Sequence, residues 1–454
     1  MGVALILFIL GFLVSVATTP WVIRLARRES IGLDEANESR KRHVAAIPRL
    51  GGMPIILALS IGLTVIFLAG FQSSADWLSI MLGSLLMCAL GLWDDLKPIG
   101  ARNKLLCQIA IATLVYVLGL RVELITYPGG LWSVALGAWS FPLTIFWLIA
   151  VPNIINLIDG FDGLAGGLGM FMAVTLGVVG LMAEQTAVAW YAFTMAGALL
   201  GFLVFNFPPA RIFLGDGGAY LIGFCIAALS LTSSQKGSIA AVLLVTIVAL
   251  GVPILDTSFA LVRRALRGFP LFQADAEHIH HRLEDLGFSK RRIVIGMYGI
   301  CVVLSVIGLS IFWSQGRTVP IAISAVFLLA IFGARYLQYF RSFSEMGGQV
   351  GRLFSRRRTV RYALLQAQIL DLEIERCRDG EEFWRIFDQS LRRVGFLEDS
   401  DWSDEESLKI PVKYNGSEPW ILHAPRGVCS HREWARIAEC FRPVYAKANA
   451  KWQH

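Results

Sequence analysis

Apolar residues fill this chain in long blocks that polar positions rarely interrupt. Eleven such stretches lie near residues 3–20, 53–70, 77–93, 105–121, 138–151, 163–182, 189–206, 213–232, 238–262, 293–313 and 319–339. A helix crosses the hydrocarbon of a bilayer in about 20 residues. In lipid the backbone must satisfy its own hydrogen bonds, so such blocks fold as helices. The fifth block is the shortest, and the eighth opens with a glycine-rich, Asp-bearing segment. The pattern predicts an all-α polytopic membrane protein with about 11 transmembrane helices over residues 1–340.

After residue 340 the pattern changes. Near 360–394, Leu364, Leu365, Ile369, Leu372, Ile374, Phe383, Ile386, Phe387 and Leu391 recur at helical spacing among charges. Two strand-like runs follow, Leu408 to Tyr414 and Pro419 to His423, and a last helix is expected near 431–450. Residues 341–454 therefore read as a small α+β domain without a catalytic signature. Its first turns carry Arg352, Arg356, Arg357, Arg358 and Arg361, suited to anionic lipid headgroups.

Charge sets the orientation. The segments near 21–49, 94–104, 152–162, 207–212 and 263–292 hold eighteen Lys and Arg, whereas the alternate set holds two, Lys236 and Arg317. Basic loops stay on the cytoplasmic side, which predicts the N-terminus out and the C-terminus in the cytoplasm. The first block lacks a basic leader and a small-residue cleavage site, so it is expected to remain as a helix. Composition agrees: 55% of residues are hydrophobic and only 17% charged, and the net charge of +7 reflects topology rather than nucleic-acid binding. The seven cysteines include no Cys-x-x-Cys pair and are expected to be reduced.

Acidic residues at membrane boundaries are costly and mark function. Here they group on the predicted cytoplasmic side: Asp94 and Asp95 end the third block, Asp159 and Asp162 lie in Asn153-Ile154-Ile155-Asn156-Leu157-Ile158-Asp159-Gly160-Phe161-Asp162-Gly163, Asp216 follows Phe213-Leu214-Gly215, and Asp256 sits late in the ninth block. A carboxylate pair at 4 Å repels by roughly 4 kcal/mol at an effective dielectric near 20. A hard divalent cation removes that cost, so Mg²⁺ is expected, with Mn²⁺ as the alternative, together with a phosphate-bearing substrate. The segment Ala274 to Leu283 places His278, His280 and His281 beside Arg282, which suits phosphate or sugar hydroxyls; zinc is the competing reading. Asn153 and Asn156 offer donors and acceptors to a base or an acetamido group. Arg49, in Pro48-Arg49-Leu50-Gly51-Gly52, is either an orientation charge or a phosphate contact.

Taken in order, Pro-Arg-Leu-Gly-Gly, Asp94-Asp95 with Lys104-Leu105-Leu106, the Asn-x-x-Asn-x-x-Asp-Gly-x-Asp-Gly run, Phe-Leu-Gly-Asp-Gly and His-x-His-His-Arg resemble the polyprenyl-phosphate N-acetylhexosamine-1-phosphate transferases of glycosyltransferase family 4. The last motif is similar to the branch that starts O-antigen, enterobacterial common antigen and teichoic-acid linkers. The resemblance implies transfer of HexNAc-1-phosphate from UDP-HexNAc to undecaprenyl phosphate, at the cytoplasmic face of the bacterial inner membrane. It implies Asp94, Asp95 and Asp216 at the reacting phosphates, with Asp216 and Asp95 toward the metal. Asn153, Asn156, Asp159, Asp162, Arg49, Lys104, His278, His280, His281 and Arg282 would bind substrate. A peptidoglycan-type phospho-MurNAc-pentapeptide transferase is the alternative within the family, and a transporter the alternative outside it. A homodimer stays open. One departure stands out: Gly217, Gly218 and Ala219 follow Asp216 where relatives often carry hydroxyls.

Overall fold

The computed structural model describes residues 2–34, 46–68, 75–126, 133–232, 239–258, 283–284, 286–336, 346–396, 407–412, 420–425 and 431–452. The chain divides into two compact units, one built on residues 1–36, 43–259 and 275–339, the other chiefly on residues from 340 onward.

The first unit is a helical bundle of α1 Gly2–Arg28, α2 Gly52–Leu68, α3 Ala75–Leu96, α4 Ala101–Val117, α5 Ser140–Ile158, α6 Leu164–Met182, α7 Thr186–Asn206, α8 Gly215–Thr232, α9 Ile239–Ala249, α10 Gly251–Ser258, α11 Lys290–Trp313 and α12 Val319–Tyr336. Two short antiparallel pairs join it, β1 Leu33–Asp34 with β2 Ile47–Pro48 and β3 Leu124–Thr126 with β4 Ser133–Ala135. Among the described residues, seven helices are long and apolar enough to cross a bilayer, and the bent pair α9–α10 makes an eighth. The other apolar blocks of this multi-pass architecture fold as shorter or interrupted helices. Helix α2 and the Val319–Phe332 part of α12 are apolar but short, and α4 spends its first turn on Arg102 and Lys104. The ninth block is not one rod: Gly251 and Pro253 interrupt the helical ladder and bend it by 68°. Conversely, α5 runs through Pro152 to Ile158 and so carries Asn153 and Asn156 on a helix instead of a loop. Pro152 packs against α8 at Gly223, whose missing side chain gives it room.

Helix α8 is the centre. Every one of its residues except Asp216 is buried. Helices α3 and α5 pack on it, while α7 packs against α1, α2 and α6. Helix α1 turns one stripe inward, Ala4, Leu7, Gly11, Ser15, Thr19, Val22 and Ala26, and leaves Ile6, Leu13 and Trp21 outward. Lipid offers no hydrophobic drive for helices to meet, so the seam depends on small residues that let backbones approach. At Gly197 the backbone of α7 lies against the Phe8 carbonyl, with no space for a methyl group.

The second unit contains α13 Met346–Arg376, α14 Gly380–Val394, the antiparallel pair β5 Ser407–Val412 and β6 Trp420–Pro425, α15 His431–Glu439 and α16 Arg442–Trp452. The helical stretch expected near 360–394 divides between two helices, because Asp379 caps α14 by accepting the Glu382 N–H at 2.8 Å. Gly395, at φ +111°, ends that helix in the left-handed region. Phe383, Phe387, Trp434 and Phe441 fill its core with Ile410 and Leu422 from the strands.

Gly197→Val is expected to destabilise the α1–α7 seam by about 1–3 kcal/mol or more. Gly296→Ala, where a methyl meets nothing within 4 Å, leaves stability nearly unchanged. Thermal unfolding of the two purified variants in detergent checks the contrast.

Candidate functional site

The last turn of α3, the first turn of α4, the last turn of α5 and the N-terminus of α8 meet at one end of the bundle. Asp94 accepts the Ile99 N–H on Oδ1 at 2.6 Å and the Lys104 ammonium on Oδ2 at 2.6 Å. Lys104 also donates to Asp216 Oδ2 at 3.1 Å, and Asn156 Nδ2 donates to Asp216 Oδ1 at 2.9 Å. The lysine thus bridges two carboxylates and leaves the cluster net negative. Lys104, Asp94 and Asp216 are mostly covered, with side-chain exposures of 22%, 13% and 26%. Charges in that setting interact more strongly than at an open surface.

Asp95 does something different from its neighbour. Its Oδ1 accepts the Asp216 N–H at 3.1 Å and its Oδ2 the Gly217 N–H at 3.0 Å. A carboxylate from α3 therefore closes the N-terminus of α8, where unpaired N–H groups and the helix dipole favour negative charge. Gly215, at φ +72°, has no space for a Cβ, which would strike the Arg49 carbonyl and come within 2.6 Å of Asp95 Oδ2. A Cβ at Gly217 would lie 2.7 Å from Leu92 Cγ. Gly217 thus lets α8 dock flush on α3, and a hydroxyl-bearing side chain does not fit there in this packing.

Arg49 reaches the site through the backbone. Its N–H donates to Gly32 O at 2.8 Å, Phe213 N–H to Pro48 O at 2.7 Å, and Gly51 N–H to Phe213 O at 3.0 Å. This fastens residues 48–51 beside the start of α8, and the Arg49 charge acts on both Asp95 and Asp159. Asp159 follows the end of α5. Removal from solvent, then the negative charges of Asp216 and Asp95, push its carboxyl well above the usual range.

Other predicted residues hold the scaffold. Asp162 Oδ2 accepts the Ala210 N–H at 3.1 Å, tying the turn before α6 to the loop after α7. Asn153 Nδ2 donates to Gln108 Oε1 and to Ile149 O, both at 2.8 Å, one turn deeper than Asn156. Asp256 is buried in α10. His278, His280, His281 and Arg282 lie outside the described residues.

Three further residues support the site. Asn206 accepts the Gly163 N–H at 3.0 Å and donates to Ile212 O at 2.8 Å; its place between an apolar helix and Pro208-Pro209 was the available signal. Arg291 donates to Pro208 O at 2.9 Å. Tyr298 donates to Gly163 O and lays its ring on Gly167, which explains why residue 167 is glycine.

Among the described residues, no three His, Cys, Asp or Glu side chains converge to hold a metal ion by themselves. The donor set instead fits a hard cation shared with a substrate. Asp216 opens outward from a buried helix, its charge only partly balanced by one lysine, with a second carboxyl, Asp159, acting on it.

The profile of glycosyl transferase family 4 matches residues 77–234, which carry Asp94, Asp95, Lys104, Asn156, Asp159 and Asp216. A probable undecaprenyl-phosphate N-acetylglucosaminyl 1-phosphate transferase of Bacillus subtilis is 33% identical over 325 residues, covering 72% of this chain and 88% of that protein. A decaprenyl-phosphate N-acetylglucosaminephosphotransferase of Mycobacterium tuberculosis is 31% identical over 322 residues, 64% of this chain and 79% of its own. A phospho-N-acetylmuramoyl-pentapeptide-transferase of Listeria welshimeri is 32% identical over 319 residues, 67% of this chain and 96% of its own.

Two outcomes follow from the site. Asp95→Ala uncaps α8 and lowers stability by about 0.5–2 kcal/mol, and Asp95→Asn by less, since its amide oxygen still accepts; unfolding in detergent measures both. Asp159 binds its proton more tightly folded than unfolded, so cation-free protein loses stability as pH rises above the ordinary carboxylate range. Asp159→Asn flattens that slope, read as melting temperature against pH in EDTA.

Proposed function

The chain belongs to glycosyl transferase family 4, and we propose that it moves N-acetylhexosamine-1-phosphate from a UDP-sugar to undecaprenyl phosphate, releasing UMP and starting a lipid-linked envelope polysaccharide. The observation that carries this reading is the Asp94–Lys104–Asp216–Asn156 cluster at one end of the bundle. The residues that build it come from four helices and present charge where a lipid-borne phosphate and a soluble diphosphate can meet.

In the net reaction an oxygen of the lipid phosphate bonds to the phosphorus that carries the sugar. The bond from that phosphorus to the bridging oxygen breaks, and UMP leaves with that oxygen. The lipid phosphate has its second pKa near 6 and is already anionic at neutral pH. Asp94 therefore acts by placing Lys104, not by removing a proton. Lys104 turns from the carboxylates toward phosphate oxygens as substrate enters, and Asn156 keeps Asp216 oriented. Asp216 and phosphate oxygens would hold Mg²⁺ or Mn²⁺; Asp95, the second ligand expected from the sequence, caps α8 with both oxygens, and Asp159 would take its place. When bound, the cation neutralises the diphosphate and stabilises the leaving group. Arg49 supplies a further cation at the acidic end. The finer topology belongs to the same proposal: eleven spans in the inner membrane, counting α2, α4, α12 and the bent pair, with the N-terminus out and the cluster on the cytoplasmic side where the basic loops lie. Assembly as a homodimer is also part of it.

The Listeria relative keeps a second donor in view, UDP-MurNAc-pentapeptide. One assay separates the readings: UMP release by purified protein given undecaprenyl phosphate and each UDP-sugar in turn. Release with a UDP-HexNAc, dependent on the lipid phosphate, is expected; release with the pentapeptide donor alone, or none with any, overturns the proposal. EDTA should abolish the activity and Mg²⁺ or Mn²⁺ restore it. Lys104→Met should lower kcat by about 100-fold or more. Asp94→Asn should stay impaired across pH; steep recovery above the phosphate pKa would instead mark a lost base.

A further inference from the structure

The second unit has a face that this chemistry leaves unused. Helix α13 buries Val360, Ala363, Ala367, Leu370 and Ile374 in the core of its own unit. A second apolar row, Tyr362, Leu365, Ile369 and Leu372, repeats the same alternating steps of three and four, two residues on and so about 200° round the helix. This row is open, with exposures of 41%, 56%, 48% and 70%. A helix with one face to bury carries polar residues opposite it. Alternating steps of three and four are instead the seam pattern of paired helices.

We propose that this row is a dimer seam, packed antiparallel against the same row of a second copy of the chain. Charge selects the occupant and the direction. The N-terminal half of α13 carries Arg352, Arg356, Arg357, Arg358 and Arg361, and the C-terminal half Asp371, Glu373 and Glu375. A parallel pair sets like charge on like charge. An antiparallel pair sets Tyr362 opposite Leu372 and Leu365 opposite Ile369, and brings Arg361 alongside Glu373 and Glu375 of the second copy. Within its own chain Lys447 pairs with Asp371 at 2.9 Å and with Glu375 at 3.8 Å, and Arg376 with Glu373 at 3.0 Å. The two Lys447 pairs are exposed and weak enough to rearrange, whereas Glu373 is mostly covered, so Glu375 is the acid most open to Arg361 of the second copy. An anionic bilayer fits less well, because the acidic half of the helix repels it. The seam is short, but two copies confined to one membrane meet at high effective concentration. A two-fold pairing of this kind closes as a dimer and does not propagate.

The test uses full-length protein in membranes. Leu365→Cys and Ile369→Cys are expressed singly, together on one chain, and as a mixture of the two single variants, then oxidised and run on non-reducing gels against the parent protein. Covalent dimer above the parent background is expected from the double variant and the mixture, and not from either single variant. Dimer from a single variant alone overturns the antiparallel seam. No dimer overturns the proposal, whether anionic vesicles shield the new thiols from a water-soluble maleimide, which marks a lipid-covered face, or the thiols stay open to it. UMP release scored on the same samples confirms that the exposed substitutions leave the fold intact. It also tests the transferase reading separately, since crosslinking does not depend on it.

Discussion

The site depends on how the first turn of α8 is held. A helix N-terminus at the edge of a membrane bundle presents backbone N–H groups with no partner, and leaving them so costs more there than in water. Asp95 answers that need from α3 by accepting the N–H of Asp216 and of Gly217. Once α8 is fixed there, Asp216 has one place to go. It projects from an otherwise buried helix into the gap between α4 and α5, where Lys104 and Asn156 reach it. Two adjacent aspartates thus divide the work: Asp95 fixes the frame, and Asp94 fixes the lysine.

The same constraint explains the glycines around the site. Gly215 turns left-handed so that the chain enters α8 beneath Arg49, and Gly217 admits Leu92. The missing hydroxyl at 217 is then a packing solution: in this chain the space it would fill belongs to Leu92 of α3. Stability and function are therefore coupled here, because a larger side chain in this turn would move the frame and the carboxylate together.

Much of the architecture was legible in the residues. Apolar blocks marked the helices because lipid demands them, and the order of acidic motifs pointed to one end of the bundle, where Asp94, Asp159 and Asp216 do lie close. What was not legible required three dimensions. Nothing in Asp94-Asp95 says that only the second carboxylate caps a distant helix. The extension of α5 through Pro152 depends on Gly223 opposite it. The bend after Ala249 was signalled by Gly251 and Pro253 but hidden in an unbroken apolar run. That Asp162 also holds Ala210 and Asn153 also holds Gln108 could not be read from residue type. Tyr298 and Arg291 carried no sequence signal, since their partners are backbone carbonyls more than eighty positions away.

Lys104 and Asp216 are proposed to serve one transition state together, the lysine on phosphate oxygens and the carboxylate through the cation it would hold. A double-mutant cycle on kcat/KM for UMP release, with Lys104→Met, Asp216→Asn and the double variant, measures that coupling directly. Strong non-additivity is expected, with the double variant little worse than the poorer single one. Losses that simply multiply would contradict it, and would mean that the two residues serve the reaction independently.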